Sequence, residues 1–273
     1  MNDDGSLIIP PRALARLAFV VAAALLSGTS AQSAHAQSAS TALDALVAAY
    51  PDRLVRHDNT YLYWRDGTRM PVWDGKQHKT FNELLRNASI LDQFRLPYPR
   101  RRLSSPPPVN DDPGRFRNEA FFDKMYGDCR RGEVRRQLVS IVWLPHTWGR
   151  RISVTRVNGV ARRLQAISNE IDALPERIKR AAYPIAGVYS CRAVADTGKP
   201  SVHSYAAAID LNIHYSDYWY WHRNERPLRY RNRMPQEIAD IFERHGFIWG
   251  GKWYHYDTMH FEYRPELLGM RGG

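Results

Sequence analysis

Cysteine is nearly missing from this sequence. The two residues, Cys129 and Cys191, stand in a chain of 273, too few for a four-cysteine structural zinc site or a disulfide-dense scaffold. An even pair in an exported chain predicts a single bridge, Cys129–Cys191. Long apolar runs are also lacking. LAFVVAAALL (Leu17 to Leu26) has ten residues, against the roughly 20 that a membrane span requires. No internal repeat is visible, and no basic run interleaved with aromatics forms a recognisable nucleic-acid module. The triplet Arg100–Arg102 sits beside a proline-rich stretch and reads as solvated chain, so no nucleic-acid partner is expected.

What is present begins with that short apolar run. Arg12 and Arg16 precede it, and SAHA (Ser33 to Ala36) comes after it with small residues at the right spacing. This pattern predicts a secretory signal peptide over residues 1–36, with no stable membrane span after its removal. Cleavage would remove two acidic and two basic residues, so the net charge stays at +11. A basic exported protein suits anionic surroundings, and the periplasm or cell envelope is the expected location. Hydrophobic residues at 44% and charged residues at 25% exclude a disordered chain.

Local patterns then divide the sequence. Residues 41–49 and the short run after the Thr80/Glu83 capping box predict helices. A hairpin turning at Asp66–Gly67 is predicted over Tyr61–Met70. These make a small N-terminal region, 37–103, followed by a proline-rich linker, 104–114. Leu138–Leu144, Ile152–Val157 and Ile185–Tyr189 read as strands. Asn158–Gly159 turns the chain into a helix with Val160, Leu164, Ile167, Ile171 and Leu174 on one face, ending at Pro175. A further helix starts at Pro235 and closes at Gly246.

SVHSYAAAIDLNIH (Ser201 to His214) carries the chemistry. As a strand, Ala206–Ile213 places Ile209, Leu211 and Ile213 on one face and Ala208, Asp210 and Asn212 on the other. A carboxylate between alanines is costly to bury alone; it needs a cation or several hydrogen bonds. His203 precedes it by seven positions. DTMHFEY (Asp257 to Tyr263) supplies His260 and Glu262 on one strand face, with Asp257 three residues before His260. Two imidazoles and a carboxylate make an open zinc site, and a further carboxylate beside it can take a proton from water. His214, His222, His245 and His255 are read as structural.

These residues resemble the M15 metallopeptidases, which include D-alanyl-D-alanine carboxypeptidases and L-alanyl-D-glutamate endopeptidases. Ser201–Asp210 is similar to the family's S-x-H-x-x-G-x-A-x-D motif. Asp257–Glu262 is similar to its acidic-x-x-H-F-E partner, and Phe247–Trp253 to its F-x-W-G-G-x-W stretch. The resemblance implies that His203, Asp210 and His260 bind Zn2+, that Asp257 is the general base, and that Arg192 polarises the scissile carbonyl. For Ser201 and Glu262 two readings stand, a hydrogen bond to a ligand histidine or ordinary strand polarity. Ala206 departs from the motif, which has glycine there, the residue suited to positive φ or close backbone approach.

The expected fold is α+β: a mostly antiparallel sheet with packed helices and a zinc-bearing cleft, in a domain spanning 115–273. The expected activity is zinc-dependent hydrolysis of a peptide bond in bacterial cell-wall peptides. The competing reading is a non-catalytic peptidoglycan-binding module of the same fold. Trp249, Trp253, Tyr254 and Tyr256 are the candidate aromatic walls of the cleft.

Overall fold

A computed structural model describes residues 39–194 and 197–269. The signal-peptide region therefore lies outside the described residues. The chain divides into two compact units, 1–41 and 42–273, and the second contains His203, Asp210 and His260. Among the described residues, no helix is long and apolar enough to cross a membrane.

Helix α1 (39–49) leads into a three-stranded antiparallel meander, β1 (Leu54–His57), β2 (Tyr61–Trp64) and β3 (Arg69–Pro71). The β2–β3 connection turns at Asp66 and Gly67, where Gly67 adopts φ +81°, as the sequence predicts. Helix α2 (Phe81–Asn87) opens on the Thr80/Glu83 capping box, with both reciprocal bonds formed. Leu43, Leu46, Tyr50, Leu54, Leu62 and Trp64 join one core cluster with residues as distant as Phe261 and Tyr263. The N-terminal region thus shares its core with the rest of the unit. The proline-rich segment is a loop throughout, but its end does not behave as a solvated linker: Asp112 is wholly buried.

Helix α3 (Glu119–Tyr126) is followed by the antiparallel pair β4 (Leu138–Trp143) and β5 (Arg150–Thr155). Asn158 and Gly159 turn with φ 53° and 70° into α4 (Val160–Asp172). Val160, Leu164, Ile167 and Ile171 are fully buried, the face set by the helical spacing. A one-turn helix α5 (Glu176–Lys179) starts after Pro175, and α6 (Gln236–Arg244) after Pro235. Three short strands, β6 (Ala208–Asp210), β7 (Phe247–Trp249) and β8 (His260–Tyr263), form an antiparallel sheet in the order β6-β8-β7. The class is α+β, with all of these strands pairing antiparallel.

Two local expectations need correction. Ile185–Tyr189 is not a strand: Gly187 makes a single bridge to Asp210. The Val188 carbonyl, on the other side of the segment, accepts from His203. The strand expected over 206–213 is only Ala208–Asp210. Asn212 caps the next turn, and Ile213 is left 51% exposed rather than sharing the buried face of Ile209 and Leu211.

Cys129 and Cys191 form a disulfide, with Cα atoms 5.7 Å apart across a sequence separation of 62. Closing a loop of that length stabilises the fold by up to about 4 kcal/mol in the chain-entropy treatment. Urea unfolding of the Cys129→Ser/Cys191→Ser double variant should show a loss approaching that size. A midpoint equal to the oxidised protein's would show that the bridge contributes nothing.

Candidate metal centre and cleft

The site is assembled by strand register. Pairing of β6 with β8 sets Asp210 directly opposite His260, and Ala208 opposite Glu262. His203 arrives from a 3-10 turn, Val202–Tyr205, whose N-cap is Ser201. That turn ends at Ala206, which holds φ 53° and ψ 29°. This left-handed conformation explains why the motif has glycine there. Gly250 is needed for another reason: a Cβ would lie 2.6 Å from the Asp257 backbone oxygen.

Three side chains meet at one point. His260 Nδ1 lies 2.9 Å from Asp210 Oδ1, His203 Nε2 lies 3.1 Å from Asp210 Oδ2, and the two ring nitrogens are 3.2 Å apart. One atom from each residue lies within 4.8 Å of the others, an arrangement able to hold a metal ion. The outer ring nitrogens fix the tautomers. His203 Nδ1 donates to the Val188 carbonyl at 2.6 Å, and His260 Nε2 donates to Glu262 Oε2 at 3.1 Å. Both inner nitrogens then present lone pairs to each other and to a carboxylate. A metal ion would satisfy all three acceptors at once. Although burial opposes the charged ring, hydrogen bonds donated to Asp210 and Glu262 push the His260 imidazole up to about 10, so a metal binding there displaces a proton from Nδ1. Two imidazoles and one carboxylate are zinc donors, so the residues fit that ion.

Asp257 stands beside this cluster. Its Oδ1 is buried without a hydrogen-bond partner, a costly state for a carboxylate. Burial foremost, and then the Asp210 charge, push its carboxyl up to about 7. Its backbone N–H donates to Gly250 O at 3.0 Å and its carbonyl accepts from His260 N at 3.1 Å.

The cleft around the cluster is lined by Arg115, Arg117, Arg192, Ser201, Trp219 and Trp253, together with Tyr218, His255, Asp257 and the three ligand candidates. Arg192 is exposed and comes directly after the disulfide cysteine. Ser201 contacts His203 through its backbone, accepting its N–H at 3.4 Å. Glu262, by contrast, meets the ring of His260. Of the aromatic candidates, Trp253 lines the cleft, whereas Trp249 and Tyr256 are core.

Residues 195–263 match the family model described as D-alanyl-D-alanine carboxypeptidase. This segment is similar to M15 peptidases. It covers about a quarter of the chain and contains all three ligand candidates and Asp257. No curated protein and no solved structure matches the chain significantly. Arg115, Arg117 and the buried Asp112 lie outside the M15 segment, and the sequence pattern does not mark them as cleft residues. His255, read as structural, also lines this cleft, held by Asp112. The only local signal is the Asp-Asp-Pro-Gly run before Arg115, which indicates a turn and nothing more.

Proposed function

We propose that the protein is a zinc-dependent peptidase that hydrolyses a peptide bond in bacterial cell-wall peptides outside the cytoplasm. One observation carries the reading: two imidazole lone pairs and the Asp210 carboxylate converge within 4.8 Å, with the partnerless Asp257 carboxylate oxygen beside them. The M15 match over 195–263 supports a peptidase, and the Cys129–Cys191 bridge supports an oxidising compartment.

His203, Asp210 and His260 would hold zinc, which when bound supplies a Lewis acid that activates water near neutral pH. Asp257 takes the proton of the attacking water and returns it to the leaving amine. A carboxyl raised by burial suits both halves of that transfer. Arg192, at the cleft mouth, places a fixed positive charge where the carbonyl oxygen gains electron density. Val188 and Glu262 keep the two rings in the tautomers that face the metal, by accepting their outer N–H groups. A binding-only module has no use for a buried carboxylate oxygen without a partner, so Asp257 favours catalysis.

The reading is tested by incubating the protein, loaded with zinc, with muropeptides and analysing the products by mass spectrometry. New peptide termini are expected, abolished by chelator and restored by zinc. His203→Ala should bind substantially less than the one zinc per chain expected of the parent. A parent protein that stays metal-free after zinc loading, or leaves every muropeptide intact, would defeat the proposal.

A further inference from the structure

A second cavity, larger than the metal-ligand cleft, is lined by residues of β3, of the end of α2 and of the start of α3. Its volume is about 560 Å³, against about 100 Å³ for the cleft, and falls in the range of roughly 300–1,000 Å³ that small-molecule sites occupy. Arg117 lines both. A narrower hollow shares Arg117 and Val194 with the cleft, and Glu119 and Lys199 with the cavity. Cleft and cavity are therefore neighbouring parts of one surface path. Trp73 lines the cavity and is 47% exposed. Its indole N–H donates back to the Lys76 carbonyl at 3.4 Å. The polar edge of the ring is thus satisfied within its own loop, and what it offers a ligand is carbon surface.

The charged lining has no net sign: Asp74, Glu119 and Asp123 are matched by Arg86, Arg117 and Lys199. The charges are also engaged locally. Lys199 pairs with Glu119 at 3.0 Å, Asp74 with Lys79 at 2.7 Å and Arg117 with Glu262 at 3.1 Å. Asp123 accepts from the Tyr205 hydroxyl at 2.8 Å. An anion finds no unbalanced cation there, and a cation no unbalanced carboxylate. The lining suits an uncharged ligand rich in hydroxyl and amide groups. Its C–H face packs on the indole, and its polar edge bonds to the paired carboxylates and to Asn87. A pyranose ring has that division. Cell-wall peptides are carried on a strand of acetamido sugars, and the small cleft leaves the sugars on the neighbouring surface. We propose that the Trp73 cavity is a subsite for the sugar strand that bears the peptide. The proposal rests on the peptidase reading and goes beyond it, naming the substrate as a glycan-linked peptide. It also gives the N-terminal region, through β3 and α2, a part in recognition.

The test uses the zinc-loaded full chain and two probes: chitotetraose, which is N-acetylglucosamine polymer without peptide, and a cell-wall stem peptide without sugar. Calorimetry should show chitotetraose binding to the parent. Trp73→Ala should weaken that binding about tenfold, the scale of a lost aromatic contact, with zinc content unchanged. Asn87→Ala should shift the affinity the same way, and Trp73→Phe should recover part of it, because a phenyl ring still offers a flat face. Trp73 and Asn87 are both exposed, so truncating either leaves the core intact. A parent that does not bind chitotetraose, or equal affinity in Trp73→Ala, overturns the sugar subsite. Stem-peptide binding that Trp73→Ala weakens, with no binding of the sugar, assigns the cavity to peptide and overturns it as well. Cleavage of the stem peptide, followed by mass spectrometry, reads the peptidase proposal separately. Cleavage without sugar binding overturns the subsite alone, whereas sugar binding without cleavage supports the subsite and overturns the peptidase reading.

Discussion

On the proposed mechanism, Asp257→Ala should keep most of its zinc and lose turnover by about 10²–10⁴-fold, the effect of removing a general base. Asp210→Ala loses zinc and turnover together. The two carboxylates stand near one point but in opposite circumstances. Asp210 is shared between His203 and His260 at 3.1 and 2.9 Å, as a ligand must be. Asp257 has a buried oxygen with no partner, as a group waiting for a proton must have. Asp257→Glu should retain partial activity, because the extra methylene displaces the base without abolishing it. The pH profile has a definite sign. Burial and the Asp210 charge raise the Asp257 carboxyl to about 7, and a bound dication lowers it from there. A base works in its charged form, so turnover is lost as pH falls through that value, and this acid limb should disappear in Asp257→Ala. Zinc content measured beside kcat for both alanine variants decides the assignment; equal zinc loss would reject it.

Glu262→Ala destabilises the protein by about 3–5 kcal/mol, the cost of stripping one member from a buried ionic cluster. Glu262 is 0% exposed. It accepts from Arg117 at 3.1 Å, from Arg264 at 3.2 Å and from the His260 ring at 3.1 Å. Removing it leaves the fully buried Arg264 with one carboxylate fewer and frees the His260 ring to turn, so zinc affinity falls as well. Burial alone would raise the Glu262 carboxyl, but the Arg117 charge foremost, with His260 and Arg264, lowers it to about 2. A depressed carboxyl contributes stability that is present above the ordinary glutamate value of about 4.3. That contribution is lost as pH falls toward 2. Urea midpoints for wild type and Glu262→Ala should therefore converge between those values. A gap that stays constant down to pH 2 would show that the carboxylate's charge contributes nothing.

The ligand candidates are legible in the sequence because a strand's alternation is strict. Asp210 among alanines, and His260 with Glu262 two residues on, declare a shared face before any coordinates are known. Helices α4 and α6 are legible from apolar spacing and from their flanking Gly and Pro. The cleft wall is not. Asp112, Arg115 and Arg117 lie in a loop, where no period relates one side chain to the next, and their placement depends on contacts with His255, Asp112 and Glu262 respectively. Ile185–Tyr189 misleads because its β-branched and aromatic residues suit a strand. The Val188 carbonyl accepts from His203, and only Gly187 bridges to Asp210, tertiary contacts that propensity does not register.

The sheet order β6-β8-β7 places the last of these strands in the middle. A growing chain can therefore make neither half of this sheet until β8 has been synthesised, and β8 carries His260. The end of the unit also closes on its beginning, through the Tyr50 hydroxyl donating to Glu266 at 2.7 Å. Contacts this far apart in sequence make for slow folding, since loop closure precedes any gain from the contact. Until β8 has been made, this sheet stays unformed and the proposed ligand set incomplete. A metal held by His203, Asp210 and His260 would therefore be acquired late, once β8 has paired with β6.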